Sequence, residues 1–303
     1  TYELGGTLPT EHELCERYGV SRVTVRKALE ELKKDGLVVG IPRQGTVIRR
    51  RSGGYRGSLD IIALVAAVQD PFFAEFMKLF EKEAEDHGSL ILFKQDFGGR
   101  ALQSDGLFYR FIQKNIRNVV LWPQTPEIDF GLLARLRAVG MNFVFFDQAF
   151  DTDAADCVCL DNRLAVETLC KELMKTHPGS LLYIDYAGLD VPSAAERRAA
   201  FLAACGDRGR IYGIPHGGEA AQEVARLLMR LAADGELPAA IVCNSGGVGL
   251  LAARWLREHG HEDGCLLATV DYLPQMNEYP MLAYAKPMER LAETVYRRLV
   301  AQT

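Results

Sequence analysis

From residue 59 onward the chain alternates short apolar runs with amphipathic stretches. LDIIALVAAV (59–68), NVVLW (118–122), NFVFF (142–146) and AAIVC (239–243) lack polar alternation, the pattern of strands buried on both faces. Further strands are expected at 89–93, 156–160, 180–184, 210–214 and 265–270. Helices are expected near 73–87, 101–114, 127–139, 162–175, 193–205, 218–233, 247–259 and 288–301. Helices interleaved with such strands predict an α/β class in which helices flank parallel sheets. Nine strands over about 245 residues are many for one sheet. Two lobes are therefore expected, lobe 1 being 59–160 plus 288–303 and lobe 2 being 161–287.

The first fifty residues follow another pattern. LPTEHELCERYGVSRVTVRKAL (8–29) reads as two short helices joined at Gly19-Val20. Thr10 precedes Glu13 by three, a capping box, and Ser21 can cap the second helix. Leu14, Val20, Val25 and Leu29 are expected to close a small core. Arg22 and Arg26 lie four apart and share a helix face. A guanidinium can grip guanine O6 and N7 bidentately, so this is a helix-turn-helix pattern suited to the major groove. Val38, Val39, Val47 and Ile48 flank IPRQG, which suits a β-hairpin with Arg43 and Gln44 at its tip.

These residues resemble the winged helix-turn-helix of the GntR family, through Leu8-Pro9-Thr10-Glu11, Gly19-Val20-Ser21-Arg22, Thr24-Val25-Arg26, Ala28-Leu29, Leu32, Gly36 and Gly45-Thr46. The resemblance implies an α+β DNA-binding domain over 1–50 that contacts operator DNA through His12, Ser21, Arg22, Thr24, Arg26, Lys27, Arg43, Gln44 and Gly45. His12 stands where many members carry Arg or Asn. Family members have a further helix before the LPTE segment, and this sequence begins at Thr1 without it.

Charge sharpens the division. The chain has 303 residues and a net charge of −5, which taken alone argues against nucleic acid. Residues 1–58 hold 11 Lys/Arg and 7 Asp/Glu, a net of +4, while the remainder holds 24 and 33, a net of −9. A basic module on an acidic one fits a DNA reader joined to a domain with another task. Between them, 51–58 (RSGGYRGS) reads as a basic, flexible linker. The seven cysteines are scattered without a CxxC pair, and Cys157 and Cys159 are expected on one face of a strand. Reduced thiols and a cytoplasmic location are the plain expectation. No apolar run reaches the ~20 residues of a membrane helix, and no metal cluster, GxSxG elbow or P-loop is present.

Residues 59–303 resemble the LacI/GalR-type effector domain, which has the periplasmic-binding-protein fold. The likeness rests on Asp70-Pro71-Phe72-Phe73, Val158-Cys159-Leu160-Asp161-Asn162, Ala195-Glu196-Arg197-Arg198-Ala199-Ala200-Phe201, Ala240-Ile241-Val242-Cys243-Asn244, Thr269-Val270-Asp271 and Lys286-Pro287. Ser245, Lys286 and Ala200 depart from that pattern, standing for Asp, Gln and Gly, and the LacI hinge helix is absent. A GntR reader on a LacI-like sensor resembles arabinose-repressor-type regulators. The resemblance implies a sugar-like effector contacted by Phe72, Asp147, Arg197, Asn244, Asp271 and Lys286 in an inter-lobe cleft. No cofactor is expected, and a homodimer is, because one small winged helix makes few DNA contacts and paired half-sites multiply affinity. Ligands of open α/β sheets sit at the carboxyl ends of strands, which is where Asp147, Asn244 and Asp271 fall. Asp147 and Asp271 have turn capping as a plainer role, and Arg197 a surface ion pair with Glu196 or Asp190. Trp122, Tyr186, Tyr272 and His216 lie at strand ends or in loops from which they can reach the cleft, with packing as the plainer role.

One motif competes. Gly247-Val248-Gly249-Leu250-Leu251-Ala252 fits GxGxxA after a strand, with Asp271 ending a strand 24 residues on, as in dinucleotide-binding enzymes. It sits late in an already alternating domain and has no catalytic partner. The reading is a ligand-responsive transcriptional repressor. The alternatives are an NAD-binding enzyme or a solute-binding protein with an incidental N-terminal module.

Overall fold

The computed structural model of the chain describes residues 7–34, 38–41, 45–48, 59–66, 71–96, 106–176, 179–216 and 218–303. The chain divides into an N-terminal unit through Asp60, which also takes in the turn Asp86–Ser89, and a larger unit formed by the remainder. The linker 51–58 and the wing-tip residues Arg43 and Gln44 lie outside the described residues.

In the N-terminal unit, helices α1 (Glu11–Tyr18) and α2 (Arg22–Lys34) precede strands β1 (Val38–Ile41) and β2 (Gly45–Ile48). Thr10 and Glu13 form the expected capping box. Gly19 closes α1 at φ 62°, a left-handed turn that glycine adopts without a Cβ clash. Leu14, Val25 and Leu29 form the core, with Leu8, Cys15 and Leu32 packed around them. Val20 was expected in that core but is 38% exposed; its backbone N–H closes the turn onto Cys15 O instead. β1 and β2 pair antiparallel from Val38↔Ile48 to Ile41↔Gly45, and Leu8 N–H donates to Thr46 O.

The larger unit begins with β3 (Ile61–Ala66), α3 (Pro71–Asp86), β4 (Leu90–Gln95), α4 (Gly106–Gln113), β5 (Asn118–Trp122), α5 (Phe130–Ala138), β6 (Asn142–Phe146) and β7 (Asp156–Val158). It continues with α6 (Asn162–Thr176), β8 (Leu181–Ala187), α7 (Pro192–Cys205), β9 (Gly209–Pro215), α8 (Ala220–Ala233), β10 (Ala240–Cys243), α9 (Gly246–Glu258), β11 (Leu266–Thr269), β12 (Met281–Ala283) and α10 (Met288–Gln302). Two five-stranded sheets result, ordered β4-β3-β5-β6-β7 and β12-β11-β10-β8-β9, and every pairing in them is parallel. The unpunctuated apolar runs are the central strands: β5 and β10 are buried along their whole length, as strands covered by helices on both faces must be.

Helix α10 lies against the first sheet, burying Leu291, Val295, Tyr296 and Leu299. Its Gln302 amide accepts from Phe143 N at 3.0 Å and donates to Phe143 O and Asp156, both at 3.1 Å. The three-residue edge strand β12 was not anticipated, since Met281–Ala283 is too short to carry a period. The strand expected over 156–160 stops at Val158, so Cys159 lies beyond it; all seven cysteines are free.

Candidate DNA-contacting surface and ligand cleft

On the N-terminal unit, His12, Ser21, Arg22, Thr24, Arg26, Lys27 and Gly45 are all exposed. Ser21 Oγ accepts from Thr24 N at 3.3 Å and lies 3.0 Å from Thr24 Oγ1, so both hydroxyls are engaged in starting α2. Arg26 Nε donates to Glu11 Oε2 at 3.0 Å. A carboxylate on Nε orients the guanidinium and leaves its two terminal nitrogens as an end-on fork, the geometry that reads a guanine edge. His12 Nδ1 lies 3.6 Å from Glu16, one turn further along α1.

In the larger unit, Phe72, Asp147, Arg197, Asn244, Asp271 and Lys286 line one narrow cavity between the two sheets, with a free volume of about 50 Å³. Asp147 follows β6, Asn244 follows β10 and Asp271 lies just beyond β11, so strand ends deliver three of the polar groups. Phe72 opens α3, Arg197 lies on α7, and Lys286 sits on the segment joining β12 to α10.

Arg197 is not a surface ion-pair partner. It is 9% exposed; its Nε donates to Asn162 Oδ1 at 2.7 Å and its Nη1 to Asn244 O at 3.0 Å. Its Nη2 stands 3.9 Å from Asp147 Oδ2. Asp147 is held at φ 58°, a left-handed conformation that Asp tolerates better than most residues, and its N–H donates to Val158 O. Burial pushes the Asp147 carboxyl above the ordinary aspartate range, an effect that Lys286 and Arg197 only partly offset. Asp271 faces the same desolvation, but Lys286, Arg197 and the hydrogen bonds from Lys286 and Gly246 outweigh it, so its pKa ends below the usual value. Lys286 contacts Asp271 Oδ1 and holds its ammonium 3.9 Å from the Phe72 ring centroid. Phe72 also stacks on Phe146 at 5.8 Å, so the same ring serves wall and core.

Several lining residues were not singled out from the sequence. Asp185, inside the apolar run LLYIDYA, accepts from Tyr186 N at 2.9 Å and Asn244 Nδ2 at 3.1 Å and pairs with Arg198 at 2.9 Å. Burial raises its pKa against the pull of Arg198. A lone acid in a buried strand was the signal. Gln148 Oε1 accepts from Ser193 N at 3.3 Å, and both side chains line the cavity. Trp122, Tyr186 and His216, for which the sequence left both packing and the cleft open, line it. Tyr272 does not; it is 45% exposed and faces a neighbouring groove beside α3.

The GxGxxA segment opens α9, but the helix start is already capped. Asp271 Oδ2 accepts from Gly246 N at 3.2 Å and Ser245 Oγ from Val248 N at 3.4 Å. A Cβ at Gly246 would come within 2.9 Å of the Leu273 side chain and force it to shift. In dinucleotide folds the pyrophosphate occupies such a helix start. Here a carboxylate does. Among the described residues no group of three His, Cys, Asp or Glu could hold a metal, and no helix is long and apolar enough to cross a membrane.

A two-lobed α/β binding fold with a polar cleft, preceded by a winged helix-turn-helix, defines a sensor-type architecture. The chain belongs to the family described as periplasmic binding proteins and sugar binding domain of LacI family, which matches residues 58–288. Residues 1–48 match the bacterial regulatory proteins of the gntR family. Over 48 residues the chain is 44% identical to the probable fructoselysine utilization operon transcriptional repressor of Escherichia coli strain K12, covering 16% of this chain and 20% of that protein. It is 23% identical over 159 residues to the arabinose metabolism transcriptional repressor of Geobacillus stearothermophilus, covering 51% of this chain and 43% of that one. The chain thus spans under half the length of these curated relatives. Among solved structures, a LacI family transcriptional regulator from Lactobacillus casei with bound sucrose matches at a TM-score of 0.66 and 18% identity, over 80% of this chain and 91% of that one. The XylFII molecule matches at 0.67 and 16%, over 80% and 92%. At these identities the likeness is one of fold.

Proposed function

We propose that the chain is a ligand-responsive transcriptional repressor that binds operator DNA through its winged helix-turn-helix and a sugar or sugar derivative in the inter-lobe cleft. One observation carries this reading: an exposed Arg22/Arg26 helix and a buried polar cleft at strand ends occur on one chain. The relatives named as a probable fructoselysine utilization operon transcriptional repressor and an arabinose metabolism transcriptional repressor support the sign of regulation. The protein acts in the cytoplasm, beside the DNA it reads, and no catalytic role is assigned to the cleft.

It acts as a homodimer, because one small reader makes few contacts and paired half-sites multiply affinity. The edge strand β4, with Leu90 69%, Leu92 40% and Phe93 37% exposed, supports self-association there. Effector binding biases lobe closure, and a full switch from 1:99 to 99:1 needs about 5.5 kcal/mol of differential affinity. The test is selection of a bound DNA sequence in vitro, followed by anisotropy titrations with and without sugars that raise the melting temperature. We expect saturable binding that a stabilising sugar weakens. Failure to select any sequence, or indifference of DNA affinity to every stabilising sugar, defeats the proposal.

A further inference from the structure

We propose that the effector is an electrically neutral polyol and that the cleft rejects phosphorylated sugars and sugar acids; this rests on the cleft being the effector site. Charge balance is the first argument. The described residues lining the cavity include two strong cations, Arg197 and Lys286, and three carboxylates, Asp147, Asp185 and Asp271, the second of which pairs with Arg198 behind it, so no cation is left over. Both cations are already engaged. Lys286 faces Asp271, and Arg197 donates to Asn162 and Asn244 with Asp147 beyond. An arriving phosphate or carboxylate would break these pairs or sit against an acid in a buried, low-dielectric place, where like charges are costly.

The second argument is the start of α9. A helix start behind a strand is the usual anion cradle of α/β folds. Here the Asp271 carboxylate takes the Gly246 N–H and the Ser245 hydroxyl takes the Val248 N–H. The protein supplies its own anion where a phosphate would go.

The third is the set of polar atoms left to satisfy. Asp147 Oδ1 and Asn244 Oδ1 are buried and have no hydrogen-bond partner among the described residues. The Asn244 amide is fixed in orientation, because its nitrogen donates to Asp185. Two buried acceptors call for donors, since an unmet buried acceptor is costly. A hydroxyl donates; a phosphate dianion or a carboxylate does not. Trp122 Nε1 is a buried donor without a partner among the described residues, and a hydroxyl or ring oxygen can accept from it. An ammonium would also donate, but the aromatic face that would hold it is covered by Lys286, 3.9 Å from the Phe72 centroid.

The experiment is a thermal-shift screen followed by calorimetry on the full chain, with neutral mono- and disaccharides and alditols set against their phosphate esters, uronic acids and amino sugars. We expect a neutral compound to bind and its charged derivatives to bind at least about tenfold weaker. A phosphorylated, acidic or amino compound that matches or exceeds its neutral parent overturns the charge inference alone. Silence from every class overturns the sugar-effector reading itself. Inorganic phosphate gives an arm that needs no knowledge of the ligand. Saturable binding of phosphate to the wild-type cleft overturns the proposal. A folded Asp271→Asn variant, with the α9 start relieved of its carboxylate and Lys286 released, is expected to gain phosphate binding, and a folded variant that gains none counts against it.

Discussion

Replacing Arg197 by Met keeps an aliphatic stem and removes the guanidinium that ties α7 to Asn162 and Asn244. Hydrogen bonds from a charged donor contribute about 1.5–3 kcal/mol each, so losing two costs about 3–6 kcal/mol. Relief of the guanidinium's own desolvation and burial of the thioether offset part of this, leaving a net loss of about 3–4 kcal/mol. In a domain of this size each kcal/mol moves the melting temperature by about 2–4 °C, so Arg197→Met should melt roughly 6–16 °C lower. Calorimetry gives the shift, and a cycle with Asn162→Ala isolates the 2.7 Å bond. The coupling should be about 1.5–3 kcal/mol. A variant melting within about 2 °C of the parent, or a strictly additive cycle, would refute the view of Arg197 as a structural pin. If the view holds, loss of ligand response in Arg197 variants reports damage to the cleft's frame as well as lost contact.

Asp147→Asn tests the cleft with less disturbance. Burial raises the folded-state pKa of Asp147, so its contribution to stability is full below the ordinary aspartate range and is lost as pH rises through the raised value. The variant should therefore be more stable than the parent at neutral pH, with the gain vanishing below ~pH 4 in urea titrations; a destabilised variant at neutral pH contradicts this. Asp271 has a lowered folded pKa, so its contribution is full above the ordinary range and lost as pH falls through the folded value. Asp271→Asn should accordingly be less stable at neutral pH, and a melting curve equal to the parent's would contradict it. Arg26→Ala should weaken binding to a selected DNA site by about 1–3 kcal/mol while leaving the melting curve unchanged, and an undiminished gel shift would remove Arg26 from the reading surface. Leu92→Lys on the β4 edge should shift sedimentation toward monomer, and an unchanged mass would place self-association elsewhere.

The alternation of apolar runs and amphipathic stretches made both sheets legible, because strands covered on two faces leave no polar positions to confuse the pattern. It failed where the chain was too short to carry a period, as at Met281–Ala283. Local chemistry was readable at Thr10, Glu13 and Gly19, since a cap or a left-handed turn depends on near neighbours. The exposure of Val20 was not, because it depends on which side chains the turn brings together. In the cleft, residues at strand ends were accessible from the sequence. Gln148 and Ser193 were not, since their contact joins segments 45 residues apart, and Asp185 stood out only as a lone acid in a buried strand, its partner Asn244 lying 59 residues on. The sequence also showed Arg197 without its burial. Its partners Asn162 and Asn244 lie 35 and 47 residues away.

The return of α10 to the first sheet has a consequence for biosynthesis. A ribosome emits β3 to β7 first and the whole second lobe next, before Gln302 can clasp Phe143 and Asp156. The lobe begun first is therefore the one finished last. While it waits, the underside of β5–β7 that α10 will cover stays open, and entropy does little to forbid the wait because closing a long loop costs only logarithmically more with length. Nascent chains halted before residue 288 should expose that apolar strip and attract chaperones, although the second lobe is already complete.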